Sequence, residues 1–188
     1  FNTSKVTTID NLFRNCYSLT SINLTNFDTS KISYMGYMFY SCYSLESIDL
    51  SSFNTPLLSN FRMAFYNCIN LTFINLSNFD LSSVTTIARL FESCTSLKTV
   101  KFPNLTTPKL SSIGSMFLNC YSLLLVDLSN FDTSQVTHMD KTFTNCRSLT
   151  SINLSNFDTS KVTKMEMMFH GCSNLEYINF KNAKASLK

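Results

Sequence analysis

The 188-residue chain has no tryptophan, only three glycines and only three prolines. Average glycine usage of about 7% would give roughly 13 at this length, so glycine-rich phosphate loops and glycine-dependent nucleotide folds are excluded. Charge is scarce too. Asp, Glu, Lys and Arg make up 14% of residues, and 15 basic against 12 acidic side chains leave a formal charge of +3. So weak a balance points to neither a nucleic-acid partner nor a strongly acidic substrate. No apolar run approaches the ~18 residues of a membrane span. No signal peptide opens the chain and its first residue is Phe1, so we expect a segment of something longer. What is abundant is apolar: 44% of residues are hydrophobic, with 17 Phe and 8 Tyr, ample for a packed core and contrary to disorder.

The cysteines fix the organisation. Cys16, Cys42, Cys68, Cys94, Cys120, Cys146 and Cys172 are separated by 26 residues each time. Phe13, Phe39, Phe65, Phe91, Phe117, Phe143 and Phe169 keep the same step, as do Leu19, Leu45, Leu71, Leu97, Leu123, Leu149 and Leu175. So do the β-branched column beginning Ile22, Ile48, Ile74 and the aromatic column Phe1, Phe27, Phe53, Phe79, Leu105, Phe131, Phe157. One repeat domain spanning 1–188 follows, with units at about 1–26, 27–52, 53–78, 79–104, 105–130, 131–156 and 157–182 and a tail at 183–188. A single unit has no neighbour to cover its apolar faces, so the stable object is a stack.

Within a unit the apolar period changes. Ile32, Met35, Met38, Phe39 and Cys42 are three or four apart, which predicts a helix at about 8–16 of each unit. Leu45, Ile48 and Leu50 predict a short strand at about 21–25. Hydroxyls at Thr7, Ser33, Ser59, Thr85, Ser111, Thr137 and Thr163 stand where a helix N-cap belongs, and Thr137 with Asp140 or Thr163 with Glu166 has the form of a capping box. Strands pack ~4.8 Å apart and helices ~8–10 Å, so the sheet is expected on the concave side of an arc.

The string Leu19-x-x-Ile22-x-Leu24 resembles the leucine-rich repeat strand. The longer string from Phe157 through Asp158, Thr159, Ser160, Val162, Thr163, Met165, Met168, Phe169, Cys172 and Leu175 to Ile178 is similar to the roughly 26-residue repeat of the BspA-like branch of that family. The resemblance covers essentially the whole chain. It implies an α/β solenoid, a right-handed arc of seven units with a parallel sheet on the concave side and short helices on the convex side. It also implies extracellular or cell-surface display and adhesion, with no enzymatic activity. One departure is plain: where the family expects Asn or Cys after the strand, Phe27 and its equivalents stand. Asn26, Asn78, Asn104, Asn130 and Asn156 sit one place earlier, so an aromatic spine is expected in place of the usual buried Asn ladder.

Candidate chemistry is thin. Zinc sites pair cysteines at short spacing, and none here is closer than 26. The cysteines read as small core residues with free thiols. His138 and His170 read as surface residues, and His170 with Cys172 does not make a nucleophile pair. Asp28, Asp80, Asp132 and Asp158 recur before Thr-Ser or Leu-Ser and could form a calcium ladder, but a turn role with the carboxylate on local amides fits better. No metal or cofactor is called for. The methionines mostly occupy inward positions, with Met167 expected to point outward.

Function belongs where columns vary. Alternation turns Ile22 and Leu24 inward and presents Ser21, Asn23 and Thr25. The first of these columns reads Ser21, Ser47, Phe73, Thr99, Leu125, Ser151, Tyr177; the second reads Asn23, Asp49, Asn75, Lys101, Asp127, Asn153, Asn179. Phe73, Asn75, Lys101, Leu125, Asp127 and Tyr177 are therefore the candidate concave-face binding residues, with exposed apolar anchors set among polar neighbours. The alternative for the second column is a polar ladder running along the sheet. Tyr34, Tyr37, Tyr40, Tyr43 and Tyr66 form a further candidate patch on the convex side, or else scattered surface tyrosines. The expected partner is an extracellular or host-surface protein, or a glycan, and no nucleic acid. Both ends look unfinished, so end-to-end contact with further repeats is expected. The rival function is a structural spacer or stalk of a larger surface protein.

Overall fold

The computed structural model describes residues 2–104 and 106–180. Phe1, Leu105, Ala183 and the expected tail at 183–188 lie outside the described residues. Among the described residues there are five short strands: β1 (Phe73–Asn75), β2 (Thr99–Lys101), β3 (Leu125–Val126), β4 (Ser151–Asn153) and β5 (Tyr177–Asn179). All pairings are parallel, in a three-stranded sheet β1-β2-β3 and a two-stranded sheet β4-β5. The register step is 26 residues, with Ile74 opposite Val100, Val100 opposite Val126 and Ile152 opposite Ile178. The stretches 21–25 and 47–51, expected as strands, make no such ladder, and the sheet lapses between β3 and β4.

The opposite side of the stack corrects the expected architecture. Among the described residues there is no helix, and so none long and apolar enough to cross a membrane. Where helices were expected, single parallel pairings run Thr8, Tyr34, Asn60, Thr86, Ser112, His138 and Lys164, again 26 apart. The amides of Ile9, Asn11, Phe13 and Asn15 donate to Tyr34, Gly36, Met38 and Tyr40 of the next unit at 2.8–3.0 Å. The intervening amides of Leu12 and Arg14 turn back to Ile9 and Asn11. Every second N–H is thus spent on a neighbour, whereas a helix would use each one internally. The result is a chain of linked turns with left-handed backbone at two places per unit, for example Asn11 (φ 60°) and Asn15 (φ 62°).

The cause is spacing. Phe13, Phe39, Phe65, Phe91, Phe117, Phe143 and Phe169 stack face to face with centroids 5.3–5.7 Å apart. That leaves no room for helices that need ~8–10 Å. Both sides of the stack therefore step at nearly the strand spacing, and the reason for expecting a marked arc disappears. "Strand side" and "turn side" describe the two surfaces better than concave and convex.

The interior follows the apolar columns, and Cys42, Cys68, Cys94, Cys120 and Cys146 lie fully inside it. The aromatic spine exists, but in the Phe13 column. In the expected column Phe53, Phe79, Phe131 and Phe157 are buried, and only Phe53 and Phe79 make mutual ring contact. The polar part of the core is a threonine ladder. Thr29 Oγ1 donates to the Asn54 carbonyl and accepts from the Asn54 amide, both at 2.8 Å. Thr3, Thr107 and Thr133 bridge to Asp28, Asp132 and Asp158 in the same two-way manner.

The hydroxyls expected as helix caps also make inter-unit bonds. Ser59 sends its amide (2.9 Å) and its hydroxyl (3.0 Å) to the Ser33 carbonyl, and Ser111 does so to Thr85. No capping box forms at Thr137 or Thr163, whose hydroxyls point to Ser111 and Thr137.

Candidate functional site

The strand side carries the candidate residues. The burial alternation along β1, exposed-buried-exposed, presents Phe73 and Asn75 and buries Ile74. Phe73 pairs with Thr99 and Thr99 with Leu125, and Asn75 pairs with Lys101. One three-stranded sheet therefore gathers Phe73 (47% exposed), Asn75, Lys101 and Leu125 (62% exposed). Asp127 follows β3 directly. Tyr177, 62% exposed, stands on β5 opposite Ser151 in the other sheet, apart from this group.

The second column is not a ladder along the sheet. Asn23, Asp49, Asn75, Asp127 and Asn153 each accept, through Oδ1, the amide two residues ahead at 2.9–3.1 Å. These side chains close a turn at the same place in five of the units. The Ser51 hydrogen bonds to Asp49 hold that carboxyl below the usual range, and Ser30 does the same for Asp28. Asp28, Asp80, Asp132 and Asp158 each accept an amide two residues on, which is the turn role expected of them.

One unit breaks this pattern. Lys101 replaces the Asn or Asp, Phe102 the usual Leu, and Pro103 the residue whose amide should close the turn. A shallow cavity of about 390 Å³ opens there. Lys101, Phe102, Pro103, Leu125, Asp127 and Asn130 are among its lining residues. Phe102 packs edge-on against Phe131 with centroids 5.0 Å apart. Phe102, Pro103 and Asn130 line this cavity, and column reasoning on the two outward positions misses them. The signal was the joint departure at Lys101-Phe102-Pro103.

The cysteines from Cys42 onward are committed to inter-unit hydrogen bonds. Each of the last six donates its Sγ–H to the carbonyl of a Phe 29 residues earlier, from Cys42 to Phe13 (3.1 Å) through Cys172 to Phe143 (3.0 Å). Burial pushes their thiols up, that of Cys42 to about 12. Such thiols are poor nucleophiles. His138 Nδ1 lies 2.8 Å from the Thr137 hydroxyl, and His170 is exposed. Among the described residues no three His, Cys, Asp or Glu side chains come together.

The sequence pattern of the family described as "Mycoplasma protein of unknown function, DUF285" matches residues 1–104 and again 98–185. The chain belongs to this family. The resemblance to leucine-rich repeats holds in solved bacterial structures as well. A leucine-rich cell surface protein of Faecalibacterium prausnitzii is 26% identical, with TM-score 0.56 over 92% of this chain and 42% of its own. A leucine-rich repeat protein of Bacteroides ovatus is 21% identical, with TM-score 0.55 over 93% of this chain and 41% of its own. The chain spans about two fifths of the length of each. No curated protein matches it.

Proposed function

We propose that this DUF285 chain is a non-enzymatic binding module whose strand side engages an extracellular or host-surface protein. The observation that carries the proposal is the cavity at Lys101-Phe102-Pro103, flanked by the exposed side chains of Phe73 and Leu125. Apolar anchors beside a concavity, with one cation and one anion in reach, are what a protein hot spot needs. Asn75 and Asp127 give the rim its turn geometry, and Tyr177 makes a separate outlying contact. The Faecalibacterium relative is a cell surface protein, which supports surface display and adhesion here. In this reading the seven units form one domain, with the strand side as its working face.

The uniform inter-unit bonds on the turn side favour a spacer or stalk as the second reading. The local break at Lys101 favours binding, since a pure spacer has no reason to depart from its own repeat. The deciding experiment is a binding screen against extracellular-matrix and cell-surface proteins, followed by Phe73→Ala, Leu125→Ala and Lys101→Glu. All three positions are exposed, so these variants should fold. Affinity for a verified protein ligand should fall at least about tenfold; unchanged affinity discards the strand-side site.

A further inference from the structure

We propose a second, independent binding surface on the turn side, built from Arg14, Tyr37, Tyr40, Arg62 and Tyr66, that takes a sulfated polysaccharide.

Three successive units contribute. The Arg14 guanidinium lies 4.7 Å from the Tyr40 ring centroid and 5.3 Å from that of Tyr37. The Arg62 guanidinium lies 5.5 Å from Tyr37. Tyr40 and Tyr66 stack at 4.5 Å with 4° between their planes, and Tyr37 leans on Tyr40 at 5.9 Å. The two guanidinium groups therefore lie against one aromatic cluster, about 11 Å apart at most. Both arginines are exposed, and the three tyrosines are half-buried.

Among the described residues neither arginine forms an ion pair with an acid. The ion pair among the described residues is Arg89 with Glu92, and the polar partner of Arg14 is the neutral Asn11 side chain at 3.1 Å. A guanidinium held beside a ring by cation–π attraction and not by an acid keeps N–H groups for an oxyanion, in the two-pronged geometry of sulfate or phosphate. Stacking also restricts the side chain beforehand, which lowers the entropy lost on binding. Two such groups on one cluster can hold two anions of one polymer, which favours a polyanion over one small ion. The tyrosine cluster beside them offers flat apolar area, which matches the C–H faces of sugar rings. The glutamate side chains of an acidic peptide would satisfy the arginines but have no flat C–H face to lay on the tyrosine rings. The surface lies across the stack from Phe73 and Leu125, so it stands or falls apart from the strand-side site.

The test is calorimetric titration of the whole chain with a heparin dodecasaccharide, with its desulfated form, and with a polyglutamate of equal charge. Heparin should bind, and the other two should bind at least tenfold more weakly. Arg14→Gln with Arg62→Gln should cost about tenfold or more in heparin affinity. Arg14→Lys with Arg62→Lys, which keeps the charge but loses the fork, should also weaken it. Lys31→Gln with Lys109→Gln, an equal loss of net charge from exposed residues elsewhere, should leave it unchanged, as should Phe73→Ala. No heparin binding overturns the proposal. So does equal affinity for polyglutamate, which would make the occupant an acidic peptide. An equal loss in the lysine control would reduce the effect to net charge and overturn it as well.

Discussion

The thiol of Cys94 donates to the carbonyl oxygen of Phe65, 3.0 Å away and 29 residues earlier. The relationship repeats along the column and explains the residue type. A side chain here must be small and apolar, yet able to give a second hydrogen bond to a buried carbonyl that already accepts the Cys68 amide at 3.2 Å.

Thiol reactivity follows directly. Cys16 is exposed and Cys172 partly so, whereas the five between are buried. In the native protein a disulfide-exchange reagent should modify Cys16 at once, Cys172 slowly and the others only on unfolding; a denatured, unreduced sample should titrate seven thiols. Because burial raises the folded pKa above 9.0, and to about 12 for Cys42, the thiol contribution to stability is fully present below pH 9. It is lost as pH rises from 9 towards 12. Thermal melts across that window should show the decline, and Cys94→Ala should make it shallower.

Glu92 behaves in the same direction at lower pH. Its Oε2 is buried with no hydrogen-bond partner, and Arg89 approaches only to 3.5 Å. Burial pushes the carboxyl above 4.5, against the pull of Arg89 and Lys141, and Tyr66 lies beside it. Its favourable contribution is therefore complete below pH 4.5 and lost as pH rises through the folded value. Glu92→Gln should stabilise the protein at pH 7 by about 1 kcal/mol. The gap between variant and parent in urea unfolding should close at pH 4.

The phenylalanine stack sets a position-dependent cost. Phe91 is fully buried between Phe65 and Phe117, so Phe91→Ala should cost about 3–5 kcal/mol. Phe13 is half-buried, and its ring stacks on Phe39 alone. Phe13→Ala should cost clearly less in the same urea titration.

The left-handed column before each cysteine makes the fourth test. It reads Asn15, Ser41, Asn67, Ser93, Asn119, Asn145 and Gly171, all with φ between 58° and 74°. Asn145 donates to Asn119 Oδ1 at 2.8 Å, a bond that serine is too short to copy. Ser93→Asn should therefore raise stability by about 0.5–1 kcal/mol. At Gly171 a Cβ would collide with Asn145 Oδ1 in a backbone region that already disfavours one. Gly171→Ala should cost about 1–2 kcal/mol, read as a lower melting temperature.

That column also marks where the sequence was misread. Apolar residues three and four apart, such as Met35, Met38, Phe39 and Cys42, suit one face of a helix and equally the inner edge of linked turns. The discriminating sign was Asn, Ser or Gly directly before every Cys, a composition poor for a helix interior and good for left-handed backbone. The period, the buried columns and the exposure of Phe73, Leu125 and Tyr177 were legible because alternation and repetition are properties of sequence alone. The Asx turns at Asn75 and Asp127 could have been read from the Ser two residues later, by the logic that succeeded at Asp28-Thr29-Ser30. The cavity was not legible, because it depends on what Phe102 and Phe131 do across two units.

The amide-to-carbonyl bonds between successive units, such as Phe13 to Met38, run along the long axis of the stack. Tension applied to the two termini would load these rungs one after another instead of shearing many together. Extension by optical tweezers should then proceed as a low-force sawtooth. Each tooth would release one unit of 26 residues, about 90 Å of chain, and the molecule would act as a graded spring.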